Sequence, residues 1–281
     1  MPHIIETDIP ILLVEQTIEY KVYQHYVNSL PFFIRPLFSL DILKLRYWER
    51  FYWRKAFLVG TMSESDKKAV SLLEPSIQPV IIPNGAGEDL VVNKLNPKRL
   101  SNPILLFVGN FFWLQNTEDA QYLIDKIYPK IAKAIPQIQI VIAGQNASNK
   151  LNISDTKRIK IIDIDPKDSQ LVKKVYTQST LFVAPIFGPG GTRLKILAAM
   201  ASGLPIVTTK TGIEGLDISD NKHALIANSP DEFVKQIKRV LSNKILYESI
   251  RKNAYELVKK KYNWSKIAEE LEIAYQRIKK A

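Results

Sequence analysis

The chain has 281 residues, which is more than one hydrophobic core usually organises, so two domains are expected. It contains no cysteine, which excludes disulfides, thiolate metal sites and cysteine nucleophiles, and its three histidines are too dispersed to predict a zinc site. The net charge of +11 favours a polyanionic partner, but no helix-turn-helix, RNP or zinc-finger pattern is present, so nucleic acid is not expected.

The sequence has no apolar run of about 18 residues, the length that would predict a membrane-spanning helix. Its first residues also lack the basic, apolar and small-residue order of a signal peptide. We therefore expect a cytoplasmic protein.

The N-terminal third alternates apolar runs with helical stretches. Residues 11–14, 57–61 and 80–82 are short apolar runs that predict strands. Ser63 and Asp66 have the spacing of a helix cap, which predicts a helix from this point to Leu73.

Residues 31–57 interleave aromatic and basic side chains. On a helix that starts near Asp41, one apolar face is expected to consist of Leu45, Trp48, Tyr52, Ala56 and Val59. Two interpretations remain open. The favoured one is core packing with a solvated basic face, and the other is a patch that contacts the surface of an anionic membrane.

A second αβ series follows a polar, proline-containing segment. Predicted strands occupy residues 104–108, 138–143, 159–162, 181–184, 204–207 and 224–227, and helical stretches lie between them, which is the pattern of a doubly wound sheet. Gly109 and Asn110 form a turn after the first strand, where the glycine would let a ligand approach the backbone. Thr117 is a candidate cap for the helix that follows. The aromatic cluster 111–113 could stack on a sugar or base, but packing is favoured.

The series is centred on residues 181–216, which are predicted to form a strand, a glycine-rich loop, a helix from about Leu194 to Gly203 and a second parallel strand. Arg193 and Lys195 would lie in the first helical turn, where positive charge is unfavourable unless an anion is present. We expect that the loop and these two cations hold the phosphates of a nucleotide. In the alternative interpretation the glycines only permit a tight turn and both cations point into solvent.

The run APIFGPGGTRLKILAAMASGLPIVTTKTGIEGL resembles the donor-binding core of retaining two-domain (GT-B) glycosyltransferases of family 4. The resemblance implies an α/β protein in which a doubly wound, Rossmann-type donor domain is preceded by a truncated second Rossmann-like domain. The implied domains are residues 1–90 on the acceptor side, residues 91–262 for the nucleotide sugar, and a C-terminal helix 263–281 that packs back on the first domain. Trp264, Ile267, Leu271 and Tyr275 are the expected docking face of that helix.

The resemblance also implies the function: a hexosyltransferase that moves a hexose from a nucleotide-diphosphate sugar to a glycan or lipid-linked acceptor with retention. Arg193 and Lys195 would be the catalytic residues, and no metal or further cofactor is implied. The implied donor-binding residues are Gly109, Asn110, Ile164, Gly190, Gly191, Thr192, Arg193 and Lys195.

Two departures from the family's pattern leave alternatives open. The first strands of the acceptor-side domain are expected to be absent, and Ala198 stands where the family has a glutamate thought to hold the donor ribose. A nucleotide-binding remnant without turnover, or a membrane-associated scaffold that uses the basic aromatic segment, would also fit. A peripheral position at the inner membrane face is compatible with the enzyme as well.

Overall fold

The computed structural model describes residues 8–97, 100–153, 155, 157–188 and 193–279. Within them the chain divides into two compact units. Unit 1 comprises residues 8–85, 188 and 264–279, and unit 2 comprises residues 86–187 and 193–263. No helix among the described residues is long and apolar enough to cross a membrane.

Unit 1 is built on a small parallel sheet in the order β1-β2-β3. Its strands are β1 (Leu12–Glu15), β2 (Leu58–Thr61) and β3 (Val80–Ile81), and its helices are α1 (Glu19–Ser29), α2 (Ser39–Lys55), α3 (Glu64–Leu73) and α11 (Trp264–Lys279). A short 3₁₀ turn, Arg35–Phe38, precedes α2. Ser63 caps α3 as predicted, because its hydroxyl accepts the backbone N–H of Asp66 at 3.1 Å.

Alternate residues of β1 contribute to the two cores of unit 1, as the strand pleat requires. Leu13 packs in a cluster with Trp53 of α2 and Val70 of α3. Leu12 packs in a second cluster that contains Ile267 of α11. Helices therefore cover both faces of this small sheet.

Unit 2 contains a six-stranded parallel sheet in the order β6-β5-β4-β7-β8-β9. The strands are β4 (Ile104–Asn110), β5 (Gln139–Gln145), β6 (Ile159–Asp163), β7 (Leu181–Ala184), β8 (Ile206–Thr208) and β9 (Leu225–Ile226). The helices are α4 (Leu114–Tyr122), α5 (Tyr128–Ala134), α6 (Ala147–Lys150), α7 (Ser169–Gln178), α8 (Leu194–Ala201), α9 (Pro230–Ser242) and α10 (Lys244–Lys261). The sequence predicted all six strands, because strands buried on both faces have continuous apolar runs.

Two helix predictions were wrong in detail. α4 begins at Leu114 rather than at a Thr117 cap, and a π-helical turn, Leu123–Ile127, separates it from α5. In α2 the buried residues are Ile42 and Trp53, whereas Trp48, expected in the core, is half exposed.

The predicted docking face of α11 was also only partly right. Ile267 and Ala274 are buried, while Trp264 and Tyr275 are about half exposed. The reason is common to α2 and α11: each helix has apolar residues on more than one side, so periodicity alone does not identify the side that packs.

Candidate nucleotide site

The sheet of unit 2 has a point at which its strand order reverses. If the six strands of this unit are numbered from 1 to 6 along the chain, their order across the sheet is 3-2-1-4-5-6. The first strand, β4, therefore lies beside the fourth, β7. In open parallel sheets of this kind, ligands bind outside the carboxyl ends of the strands at such a reversal. Gly109 and Asn110 end β4, and α8 follows β7, so these predicted residues converge on that point.

Two glycines lie opposite each other at the ends of β4 and β5. Gly109 pairs with Gly144, and Gly144 has a φ of +148°. A Cβ on Gly144 would overlap the carbonyl oxygen of Gly109, and a Cβ on Gly109 would lie 3.1 Å from the Cβ of Asn116. The glycine at position 109 therefore permits the close approach of α4, a role that the sequence did not predict.

Asn110 organises the turn between β4 and α4. Its side-chain oxygen accepts the backbone N–H of Phe112 at 3.0 Å, and its carbonyl oxygen accepts the side-chain amide of Asn116 at 2.7 Å. The side chain of Asn110 is thus used within the turn. In the adjacent aromatic cluster 111–113, Phe111 is buried, as the packing interpretation predicted, whereas Phe112 and Trp113 are exposed.

Ile164, one of the implied donor-binding residues, follows β6 at the same edge of the sheet. Its backbone N–H donates to the carbonyl oxygen of Gly144 at 3.0 Å, and its side chain is buried in the core of unit 2. The structure thus places Ile164 beside the glycine pair.

Lys195 is the second residue of α8, and its side chain reaches back to α4. Its ammonium donates to the side-chain oxygen of Asn116 and lies 4.8 Å from the ring centroid of Phe107 on β4. The interpretation in which this cation points into solvent is therefore wrong. Because Asn116 also bonds Asn110, one asparagine joins the end of β4 to the start of α8.

Asp119 is a buried carboxyl group one turn further along α4. It is 3% exposed, and its Oδ1 accepts the backbone N–H of Phe187 at 3.4 Å. Burial raises the pKa of Asp119 to about 6, while the charges of Lys195 and Arg193 act in the opposite direction. Burial likewise lowers the pKa of Lys195 to about 8; Asp119 opposes this shift and Arg193 adds to it.

Arg193 directly precedes α8, and its carbonyl oxygen accepts the N–H groups of Ile196 at 2.9 Å and Leu197 at 3.1 Å. Both predicted catalytic cations therefore lie at the N-terminal end of this helix, where the helix dipole favours anions. The predicted loop residues Gly190, Gly191 and Thr192 lie outside the described residues.

Sequence reasoning missed Phe107, Asn116 and Asp119. The signal available for the last two was their spacing of three residues, which places them on one side of a helix. That signal is weak, because polar residues at this spacing also occur on solvated helix faces. Ala198, the departure from the resembled pattern, is buried in α8 and brings a methyl group where a carboxylate was expected.

The chain has relatives in sequence among known proteins. The chain is 29% identical over 211 residues to an uncharacterized 44.6 kDa protein in the cps region of Klebsiella pneumoniae, covering 73% of this chain and 52% of that one. It is 29% identical over 180 residues to an uncharacterized glycosyltransferase of Methanocaldococcus jannaschii, covering 62% and 44%. The chain spans about half the length of the curated relatives that it matches.

Solved structures share the fold at low sequence identity. Sucrose-phosphate synthase from Thermosynechococcus elongatus superposes with a TM-score of 0.69 at 20% identity, covering 95% of this chain and 67% of that chain. HepE of Anabaena, solved in complex with UDP and glucose, gives 0.66 at 14% identity, covering 95% and 71%. The fold class is therefore α/β with parallel sheets, similar to GT-B glycosyltransferases with Rossmann-like domains.

The family comparison covers the sheet that carries the candidate site. The profile of Glycosyl transferases group 1 matches residues 102–243, which is half of the chain and runs from just before β4 to the start of α10. The chain therefore belongs to the family Glycosyl transferases group 1.

Proposed function

We propose that the chain is a family 4-like, retaining hexosyltransferase that moves a hexose from a nucleotide-diphosphate sugar to a glycan or lipid-linked acceptor. The observation that carries this proposal is the position of the Lys195 ammonium, which is bonded to α4 at the reversal point of the sheet. A cation there, with Arg193 beside the same helix N-terminus, is suited to bind the diphosphate of a donor.

The proposed chemistry needs little more than stabilisation of the leaving group. As the bond from the anomeric carbon to the diphosphate breaks, negative charge grows on the departing phosphate oxygen. Lys195 and Arg193 would stabilise that charge, together with the backbone of Gly190 and Gly191. The acceptor oxygen would bond to the anomeric carbon on the face from which the diphosphate departs, and its proton would pass to the departing phosphate.

The first donor to test is suggested by a protein with a similar fold. HepE of Anabaena was solved with UDP and glucose, which makes a uridine nucleotide the first donor to try. By the resemblance, Gly109, Asn110, Ile164 and Thr192 would line the remainder of the donor site. No cofactor beyond the nucleotide sugar is proposed.

Turnover of nucleotide sugars tests this function. The protein is incubated with UDP-, GDP- and ADP-hexoses, with and without simple glycoside acceptors, and nucleotide release is measured. We expect release from at least one donor, and a product whose anomeric coupling in proton NMR matches that of the donor. Failure to consume any of these donors would contradict the proposal.

A variant pair makes the test specific to the site. Lys195→Met should slow nucleotide release by roughly 100-fold or more, because charge stabilisation of the leaving group is lost. Lys252→Met changes an exposed lysine of α10 in the same unit and should leave the rate unchanged. Equal rates in the two variants would remove Lys195 from the mechanism.

Ala198 favours a second candidate, a protein that binds the nucleotide without turnover. The residue is buried one turn beyond Lys195 and has no group that could hold a ribose hydroxyl. This candidate predicts that UDP, GDP or ADP binds in calorimetry while none of the nucleotide sugars is consumed. Consumption of any donor eliminates it.

A further inference from the structure

Helix α2 of unit 1 carries a second apolar face that the core does not use. Its inner face holds Ile42 and Trp53, which are buried. On the opposite side, Leu40, Leu43, Tyr47 and Phe51 follow one another at intervals of three or four residues, so they lie on one side of the helix. We call these four residues the outer stripe.

Three residues of the outer stripe are exposed, Phe51 is partly buried, and the stripe has aromatic neighbours. Leu40 is 66% exposed and Tyr47 is 61% exposed. Trp48 packs edge-on against Tyr47, with ring centroids 5.4 Å apart, and is itself half exposed. Just before α2, three more large apolar residues are exposed: Phe32, Phe33 and Leu37. So many large exposed apolar residues within one short segment make it a candidate interaction site.

The charges around the outer stripe are mostly positive. Residues 31–57 contain six basic residues, Arg35, Lys44, Arg46, Arg50, Arg54 and Lys55, and two acidic residues, Asp41 and Glu49. Glu49 is held inward, where its carboxylate accepts the backbone N–H of Glu19 at 2.6 Å. On the outer side, Lys55 lies 4.8 Å from the ring centroid of Phe51, so a cation borders the stripe directly.

We propose that the outer stripe of α2, with the exposed residues just before it, is a docking surface for an anionic membrane. Aromatic and aliphatic side chains would enter the boundary between headgroups and acyl chains, and the flanking cations would meet lipid phosphates. Trp and Tyr are the residues that favour this boundary, because one part of each ring system is apolar and another is polar.

Charge distinguishes this occupant from a second copy of the chain. A symmetric contact between two copies would place the basic border of one stripe against the same basic border of the other. Like charges brought together in this way oppose association. Arg50 and Arg54 form salt bridges with Glu74, but cations near the stripe still outnumber carboxylates, so an anionic surface complements its net positive charge. The inference does not depend on donor binding, because all of its residues lie in unit 1.

Cosedimentation with vesicles tests the proposal. The protein is mixed with phosphatidylcholine vesicles that contain either no phosphatidylglycerol or about a third of it, at low and high salt. We expect binding to the anionic vesicles at low salt and weaker binding at high salt. Absence of binding to anionic vesicles at low salt would overturn the proposal.

Matched variants locate the contact. The double variant Leu40→Ser, Tyr47→Ser should reduce the vesicle partition coefficient roughly tenfold or more, because two apolar side chains no longer enter the lipid. Leu72→Ser changes a residue of α3 in the same unit that is 82% exposed, and it should bind as the wild type does. An equal loss in both variants would assign binding to general surface apolarity and reject the outer stripe.

Tryptophan fluorescence tests the same contact if the double variant does not fold, because it needs only single, conservative substitutions. Brominated lipids should quench the fluorescence of the wild-type protein. The quenching should be lost in Trp48→Phe and retained in Trp264→Phe, since Trp264 lies on α11. Unchanged quenching in Trp48→Phe would refute this contact. Dimerisation that the double variant abolishes would instead identify a second copy as the occupant and would also refute it.

Discussion

At the scale of single residues, the pKa of Lys195 sets a pH range for donor binding. Burial lowers this pKa to about 8, so the ammonium is largely charged at pH 7 and largely neutral at pH 9. If Lys195 binds the diphosphate, nucleoside diphosphate affinity should fall as the pH rises through about 8. Calorimetric titrations between pH 6.5 and 9.5 would measure this. Lys195→Met should show a nearly flat profile, and a steep profile in that variant would contradict the assignment.

Asp119 should set the pH at which nucleoside diphosphate affinity falls. It would do so as a positioning residue, through its effect on the pKa of Lys195. The Asp119 charge favours the ammonium, while Arg193 disfavours it, so removing the carboxylate lowers the pKa of Lys195 further. Asp119→Asn should therefore shift the alkaline loss of affinity to lower pH. Asp125→Asn is the control, because Asp125 is an exposed carboxylate in the π-helical turn after α4. A profile that does not move in Asp119→Asn would leave the residue with a structural role only.

Glu49 provides a test of stability that is independent of any ligand. Burial raises its pKa from 4.5 to about 7, and the neighbouring Glu15 and Glu19 add to the shift. The folded state therefore holds this proton more tightly than the unfolded chain does. The resulting stabilisation is fully present below pH 4.5 and is lost as the pH rises through about 7.

Glu49→Gln should remove that dependence, because an amide oxygen can still accept the N–H of Glu19. Relative to the wild type, the variant should gain stability between pH 5 and pH 8. Urea unfolding at several pH values would measure the difference. Glu270→Gln, at an exposed position of α11, is the control. Parallel curves for wild type and Glu49→Gln would show that Glu49 does not titrate in this range.

The sequence was informative about some of these residues and silent about others. Arg193 and Lys195 could be placed at a helix start because the glycine-rich loop and the small-residue helix after it are local signals. Asn116 and Asp119 could not be assigned, since their partners Lys195 and Phe187 are far away in the chain. Contacts between distant segments leave no periodic pattern.

At the scale of elements, the glycine pair at the ends of β4 and β5 should be intolerant of side chains. Gly144→Ala combines a φ that alanine rarely adopts with an overlap on the Gly109 carbonyl. It should lower the free energy of unfolding by at least about 2 kcal/mol. Gly87→Ala is the control, because its nearest neighbour would be 3.7 Å from the new Cβ. Denaturant unfolding distinguishes the two, and equal stabilities would contradict the close approach.

Local sequence patterns predicted the strands of unit 2 but not the packing faces of two helices in unit 1. The strands of unit 2 were predicted because a sheet covered on both faces needs unbroken apolar runs. The faces of α2 and α11 were not, because apolar residues occupy more than one side of each helix. In α2 the inner side contributes Trp53 to a buried cluster, whereas Leu40, Leu43 and Tyr47 of the outer stripe are exposed.

At the scale of the whole molecule, membership of Glycosyl transferases group 1 and the reversed strand order of unit 2 direct attention to one edge of one sheet. The alignment with each relative covers only about half of that relative, so activity on an acceptor is a proposal that the turnover assay tests. The doubly wound sheet could be predicted from sequence because its strands alternate regularly with helices. The hydrogen bond from Lys195 of α8 to Asn116 of α4 could not be predicted, because the two residues are far apart in the chain.

The central claim is that the N-terminal end of α8 holds a diphosphate, and a comparison of two ligands tests it most directly. Calorimetry at pH 7 should measure UDP and UMP, or the matching pair of the preferred base, on the wild type, Lys195→Met and Lys252→Met. Because a hydrogen bond to a charged group contributes about 1.5–3 kcal/mol, the wild type and Lys252→Met should prefer the diphosphate by roughly tenfold or more, and Lys195→Met should lose most of that preference. A wild-type preference retained in Lys195→Met would contradict the account.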